Sequence, residues 1–204
     1  MKTNWIAVLA CAVGPLLAAD SGVMTAAERA YLIDQLEQSK KNALASIQGV
    51  TDAQWKFKPA PNVWSVAECA EHIVLAEDYI FGASQQALKT PAVARLATAN
   101  AESDRKLVAT IQDRSQKATA PEPIAPSGKF ATPADAAREF TARRDKTIAY
   151  VKTTQDELRT HALPGPTGAM DGYQFLLLLA SHSARHTAQI REVQANADYP
   201  KTAQ

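Results

Sequence analysis

The chain has 204 residues, with 22 lysines and arginines against 21 aspartates and glutamates. That length suits one well-buried domain better than two. So even a balance of charge leaves no footprint for nucleic acid or for an anionic lipid surface. The first stretch, MKTNWIAVLACAVGPLLAAD, sets Lys2 ahead of an apolar run from Trp5 to Leu17, with Ala18 and Ala19 before Asp20. This is the pattern of a secretory signal peptide, too short and wrongly flanked for a spanning helix. Residues 1–19 are therefore read as the signal and 20–204 as a mature domain exported to a periplasm; lipid modification at Cys11 or a retained N-terminal anchor are the alternatives. Cleavage would remove Lys2 and Cys11, leaving 21 bases against 21 acids and Cys69 alone. No internal disulfide is then available, and a lone thiol in an oxidising compartment calls for burial. No long apolar run recurs, so no stable membrane insertion is expected after cleavage.

Downstream, alanine, leucine, glutamine and charged residues dominate and the spacing of apolar residues is helical, which predicts an all-α fold. Helix one is expected from Met24 to Gly49, with Leu32, Leu36, Ala43 and Ile47 on one face. A connector, TDAQWKFKPAPNVW, follows. Helix two starts at Ser65, where Ser65 and Glu68 form a capping box and Trp64 supplies the staple, and it stops near Leu88, ahead of Pro91. Residues 92–118 hold at most an accessory helix and 119–132 a proline-rich loop. Thr132, Pro133 and Asp135 open helix three, which is expected to run to about His161. Asp171 with Gln174 caps helix four, which carries the run FLLLLA and ends near Asn196. Four long amphipathic helices must bury their faces on one another, so the predicted architecture is a four-helix bundle. The long segment from Pro91 to Thr132 suits a crossover between helices two and three, giving an up-down-down-up order.

Two of the four histidines stand four apart in SHSARH, so His182 and His186 share one face of helix four. His72 lies seven residues into helix two, about 10 Å from its start. Under the crossover topology the start of helix two and the end of helix four lie at the same end of the bundle, which puts the three imidazoles at compatible depths. Three neutral imidazoles facing one another are costly without a shared partner, and a divalent cation is such a partner. Zinc or nickel is expected first, with iron and copper also compatible with nitrogen donors. His161 falls at the opposite end and is read as a surface or capping residue. Cys69, one turn before His72, is either a soft fourth ligand or a small buried core residue. Glu71 is either an outer partner of the site or solvent-exposed, the latter being the simpler reading. Trp55 and Phe57 are expected to wall the site, with Phe140 and Arg144 offered by helix three. Arg144 either binds an anionic substrate group or sits in an ion pair or in solvent. Tyr31 is read as packing.

The segments WSVAECAEH (Trp64 to His72), HALPGPTGAMDGYQF and SHSARHTAQI (Ser181 to Ile190), in this order and spacing, resemble the DinB-like superfamily of helical bundles. The resemblance covers nearly all of the mature chain. It implies a divalent metal on one histidine of the second helix and an HxxxH pair of the fourth, which map to His72, His182 and His186. It also implies a homodimer, as in many members, and S-transfer or isomerisation with low-molecular-weight thiols. A signal peptide departs from that cytoplasmic setting.

Two function classes follow. In the first, an enzyme, the metal keeps an open position at which a thiol or water attacks a small electrophile. Thiol transfer is the family's chemistry and hydrolysis the one that suits an exported protein. In the second, a non-catalytic metal-binding bundle, the ion only holds helices two and four together. The chain has no HExxH motif, so the usual zinc-protease glutamate is missing.

Overall fold

The structure is a computed structural model that describes residues 21–115, 117 and 119–201; the expected signal segment lies outside the described residues. Among the described residues there are six α-helices, four of them long: α1 (Ala26–Ile47), α2 (Asp52–Lys56), α3 (Val66–Ala87), α4 (Ala101–Gln112), α5 (Pro133–Thr153) and α6 (Gly172–Gln194). A 3-10 turn spans Glu122–Ile124, and a short antiparallel hairpin, β1 (Ala162–Gly165) and β2 (Gly168–Asp171), precedes α6. Four long helices and at most an accessory one were expected, so the helix count is corrected to six, with a hairpin in addition. The connector after α1 folds as α2 because Thr51 and Gln54 form a capping box of their own. The accessory helix in the crossover is α4, capped by Asn100, whose Oδ1 accepts from the backbone N–H groups of Glu102 and Ser103.

The third long helix ends at Thr153 rather than near His161. The backbone beyond it bonds elsewhere: Arg159 N–H donates to Gly22 O and Tyr173 N–H to Leu158 O. Leu158 and Arg159 are fully buried there. Arg159 uses all five of its N–H donors on Glu28, Asp104 and Asp171, and its guanidinium lies 3.8 Å over the Tyr173 ring. Those tertiary bonds outweigh continuation of the helix.

α6 packs between α1 and α3, and α5 packs against the same two helices, so α1 and α3 face each other across a diagonal. Hydrogen bonds give the directions. Tyr173 Oη donates to Glu28 O at one end of α1 and α6, and Gln194 Nε2 to Ser46 O at the other, so these helices run together. Ser84 Oγ, near the end of α3, donates to Gly172 O at the start of α6, so that pair is antiparallel. The apolar interior falls into two clusters, one around Leu32, Leu36, Ile80, Leu176 and Leu179, the other around Ile47, Val66, Ile73, Phe140 and Ile190. Between them lies a buried polar layer of Arg144, Glu77, Ser39 and Ser183.

Candidate metal centre

The α3 cap sets the position of the first ligand candidate. Ser65 Oγ accepts from Glu68 N–H, and Glu68 in turn accepts from Ser65 N–H at 2.7 Å and from Lys58 Nζ. Two turns further on, His72 points from α3 toward α6, where His182 and His186 occupy one face. One nitrogen from each of the three rings lies within 4.8 Å of the other two. The ring centroids stand 4.4 to 4.8 Å apart, and His72 Nε2 is 3.1 Å from His182 Nε2.

The outer nitrogens fix the ring roles. His72 Nδ1 is 2.7 Å from Ile124 O, which can only accept, so Nδ1 carries the proton and Nε2 presents a lone pair inward. His186 Nδ1 is 2.8 Å from Gln189 Oε1. Arg114 Nη1, a donor only, also donates to that same oxygen, which identifies it as the amide's acceptor end. His186 is thus left with a free Nε2. A metal-ligating histidine has this arrangement, with one nitrogen anchored by an acceptor and the other turned to the ion. His182 Nδ1 is buried with no hydrogen-bond partner. Two facing Nε2 atoms satisfy at most one N–H between them, whereas a cation between them would accept both lone pairs.

Electrostatics points the same way. Burial lowers His72 below the usual histidine range, although the Ile124 carbonyl pulls back. Burial and the neighbouring His186 and His72 hold His182 well below it. His186 is pushed down to about 3, by burial first and His72 second. All three rings are therefore neutral at neutral pH, the form that binds metal. The donor set fits a divalent ion, and three nitrogens alone do not choose among zinc, nickel, iron and copper.

The wall residues differ from those expected. Trp55 is buried and turned away, its Nε1–H donating to Phe130 O, and Phe57 packs edge-on against Tyr199. Trp64 covers the site instead, its ring 4.9 Å from His72 and 5.9 Å from His186. Phe140 belongs to the core. Arg144 is fully buried and spends its donors on Glu77, Leu36 O, Ser39 and Ser183, so of the readings weighed the ion pair holds and the substrate-binding one does not. Cys69 is fully buried among apolar residues, outside the histidine cluster, and burial pushes its thiol up; it is a core residue. His161 stands apart, with Nδ1 on Thr90 O.

Glu71 is the largest departure from the simpler expectation, being only 2% exposed. Its two carboxylate oxygens accept from the N–H groups of Ser127, Gly128 and Lys129 and from the Ser127 hydroxyl. It thereby pins the loop whose Ile124 carbonyl orients His72. Gln189 was within reach of sequence reasoning, since it stands three residues after His186 on one helix face. The Ile124 carbonyl, 52 residues from His72, has no such signal.

The site opens on a cleft of about 1280 Å³ between α3, α6, the hairpin and the crossover segment, and all three histidines line it.

The family model of the DinB superfamily matches residues 35–190, and the chain belongs to that superfamily. It is 22% identical over 148 residues to an uncharacterized protein, YuaE, of Bacillus subtilis strain 168, an alignment covering 72% of this chain and 87% of the relative. Its fold is similar to that of YfiT from Bacillus subtilis, described as a probable metal-dependent hydrolase with an unusual four-helix bundle topology. That similarity has a TM-score of 0.57 at 16% identity and covers 84% of this chain and 88% of the other.

Proposed function

We propose that this protein is a divalent-metal-dependent hydrolase in which His72, His182 and His186 hold the ion. The observation that carries the proposal is the pair of anchored Nδ1 atoms, on Ile124 O and Gln189 Oε1, which turns the Nε2 lone pairs of His72 and His186 toward the His182 ring. Such an ion, when bound, supplies Lewis acidity and acidifies water at neutral pH. The chain's own residues orient the donors through the Glu71-pinned loop and Gln189, and shield one side of the site with Trp64. The open cleft beside the histidines supports turnover over a purely structural ion. Water is taken as the second reactant because YfiT, whose fold is similar, is described as a probable metal-dependent hydrolase. We also read the protein as exported, on the composition of residues 1–19.

The test is metal analysis of protein purified without chelator or histidine tag, followed by turnover of activated esters in thiol-free buffer. About one divalent ion per chain is expected, lost in His72→Ala and His182→Ala, with hydrolysis abolished by chelator and restored by Zn²⁺. No ion after incubation with zinc or nickel would overturn the metal centre. Turnover that appears only on adding a thiol would replace hydrolysis by thiol transfer.

A further inference from the structure

The cleft is larger than three imidazoles and a water require, and at about 1280 Å³ it has the room of a small-molecule site. On α6 the lining positions recur at helical spacing from Phe175 to Val193, and on α3 from His72 to Gln86, so each helix gives one face. Because the two helices are antiparallel, the histidines stand between two arms. Toward the end of α3 and the start of α6 the lining is Tyr79, Ile80, Ala83, Leu163, Phe175 and Leu178, and no charged residue joins them among the described residues. Tyr79 is 47% exposed, one of two large hydrophobic residues so open among those described. Gly82 sits inside α3, where glycine weakens a helix relative to alanine, and a Cβ built on it meets no atom within 4 Å. What its missing side chain leaves is room in this arm.

The second arm has charges, but they are matched or screened. Glu192 holds Arg114 at 2.6 and 2.7 Å. Arg185 donates to the carbonyls of Ile111 and Asp113 and lies in the field of the Asp113 and Glu192 carboxylates. Lys117 is exposed to solvent, which screens it. Pro59, Val63, Trp64 and Val193 line the same arm. A charged group entering either arm would therefore shed water without gaining a counter-ion, whereas an apolar group gains in proportion to the surface it covers.

We propose that the cleft takes an uncharged molecule with an extended apolar portion, which lies along Tyr79, Gly82 and Phe175 and brings an ester or amide group to the three histidines. The proposal rests on the hydrolytic reading only for what becomes of that group; the binding itself follows from the shape of the first arm and from the absence of an unmatched charge in it. Two properties follow. Affinity grows with the length of the apolar portion, and a charge of either sign at its far tip weakens binding.

The test is calorimetric titration of the purified full chain with octanamide, butanamide and two analogues of octanamide whose far end carries an ammonium or a carboxylate. It is run on metal-stripped protein, where no ion can hold the carboxylate, and octanamide and butanamide are repeated on zinc-loaded protein, with zinc content measured separately. Octanamide is expected to bind at least about tenfold tighter than butanamide with or without metal, and at least about tenfold tighter than either charged analogue. Tyr79→Asp, a change at an exposed position that puts a charge in the apolar arm, should weaken octanamide by about tenfold and narrow its preference over the ammonium analogue. Gly82→Trp, which fills the arm from a position with open space, should weaken octanamide by about tenfold or more and leave butanamide unchanged. Circular dichroism melts check that both variants keep the native fold. Equal affinity for octanamide and butanamide, tighter binding of either charged analogue, or two folded variants that both bind octanamide as before would overturn the inference. Zinc bound by the histidines without chain-length dependence would sink this inference and leave the metal centre standing, and chain-length dependence without zinc binding would do the reverse.

Discussion

Gln189 decides how His186 presents itself. Its Oε1 accepts from His186 Nδ1 and from Arg114 Nη1, and Arg114 is braced in turn by Glu192 at 2.6 and 2.7 Å. Removing that acceptor leaves the imidazole free to rotate or change tautomer, and loss of such outer partners weakens metal binding by about 10- to 100-fold. Gln189→Leu is therefore expected to weaken zinc by about that factor in competition with a chromophoric chelator, while Gln189→Glu, which keeps an acceptor, retains most of the affinity. An unchanged affinity in Gln189→Leu would show that His186 needs no such anchor. At this scale the sequence is informative where the partner lies on the same helix: His182 and His186 share a face by spacing alone, and Gln189 follows the same rule. It is silent where the partner is a backbone carbonyl supplied by a distant loop, as at Ile124. Arg144 was ambiguous for a related reason, because a guanidinium on a helix face reads alike whether it meets substrate or a carboxylate that only packing reveals.

Helix starts were legible because their caps are local. Ser65 with Glu68 and Asp171 with Gln174 each close a box within four residues, and each is formed; the box of Thr25 with Glu28 that starts α1 was not singled out from the sequence. Ends were not. α5 stops where Arg159 is drawn into a buried cluster with Glu28, Asp104 and Asp171, three partners scattered over the chain. The hairpin was missed although its tip, PGPTG, is rich in turn residues. Its strands are four residues each and lack the alternating β-branched pattern that marks a strand. The crossover loop shows the same dependence on distant contacts, since residues 127–129 are held by the Glu71 carboxylate from α3. Glu71→Gln puts an amide N–H where a carboxylate oxygen met donors, leaving buried N–H groups short of an acceptor at a cost of about 1–3 kcal/mol. The variant is expected to lose about that much in urea unfolding and to be cut faster by protease between Pro121 and Phe130. Wild-type cleavage rates in that loop would show that other contacts hold it.

Across the whole bundle, the polar layer between the two apolar clusters ties four helices at one level. Arg144 of α5 uses all five of its N–H donors there, on Glu77 of α3, on Leu36 O and Ser39 of α1, and on Ser183 of α6. Ser183 adjoins His182, so the layer also fixes the register in which α6 offers its histidines to α3. The depth argument from sequence placed the three imidazoles together because helix rise is regular and the crossover sets which ends coincide. It had no means of seeing this layer, since neither Arg144 nor Glu77 breaks the polar pattern of its own helix. Replacing one partner strands a buried charge, which costs about 3–5 kcal/mol, whereas replacing both with apolar residues of similar volume is often neutral or better. Arg144→Met and Glu77→Leu are each expected to lose about 3–5 kcal/mol in denaturant unfolding, and the double variant to recover most of it. If the layer's role is register as well as stability, the recovered double variant will still bind zinc more weakly than wild type, because the bonds that join Ser183, beside His182, to Glu77 of α3 and Arg144 of α5 are then gone. A double variant with both stability and zinc affinity of wild type would assign the layer to neither task.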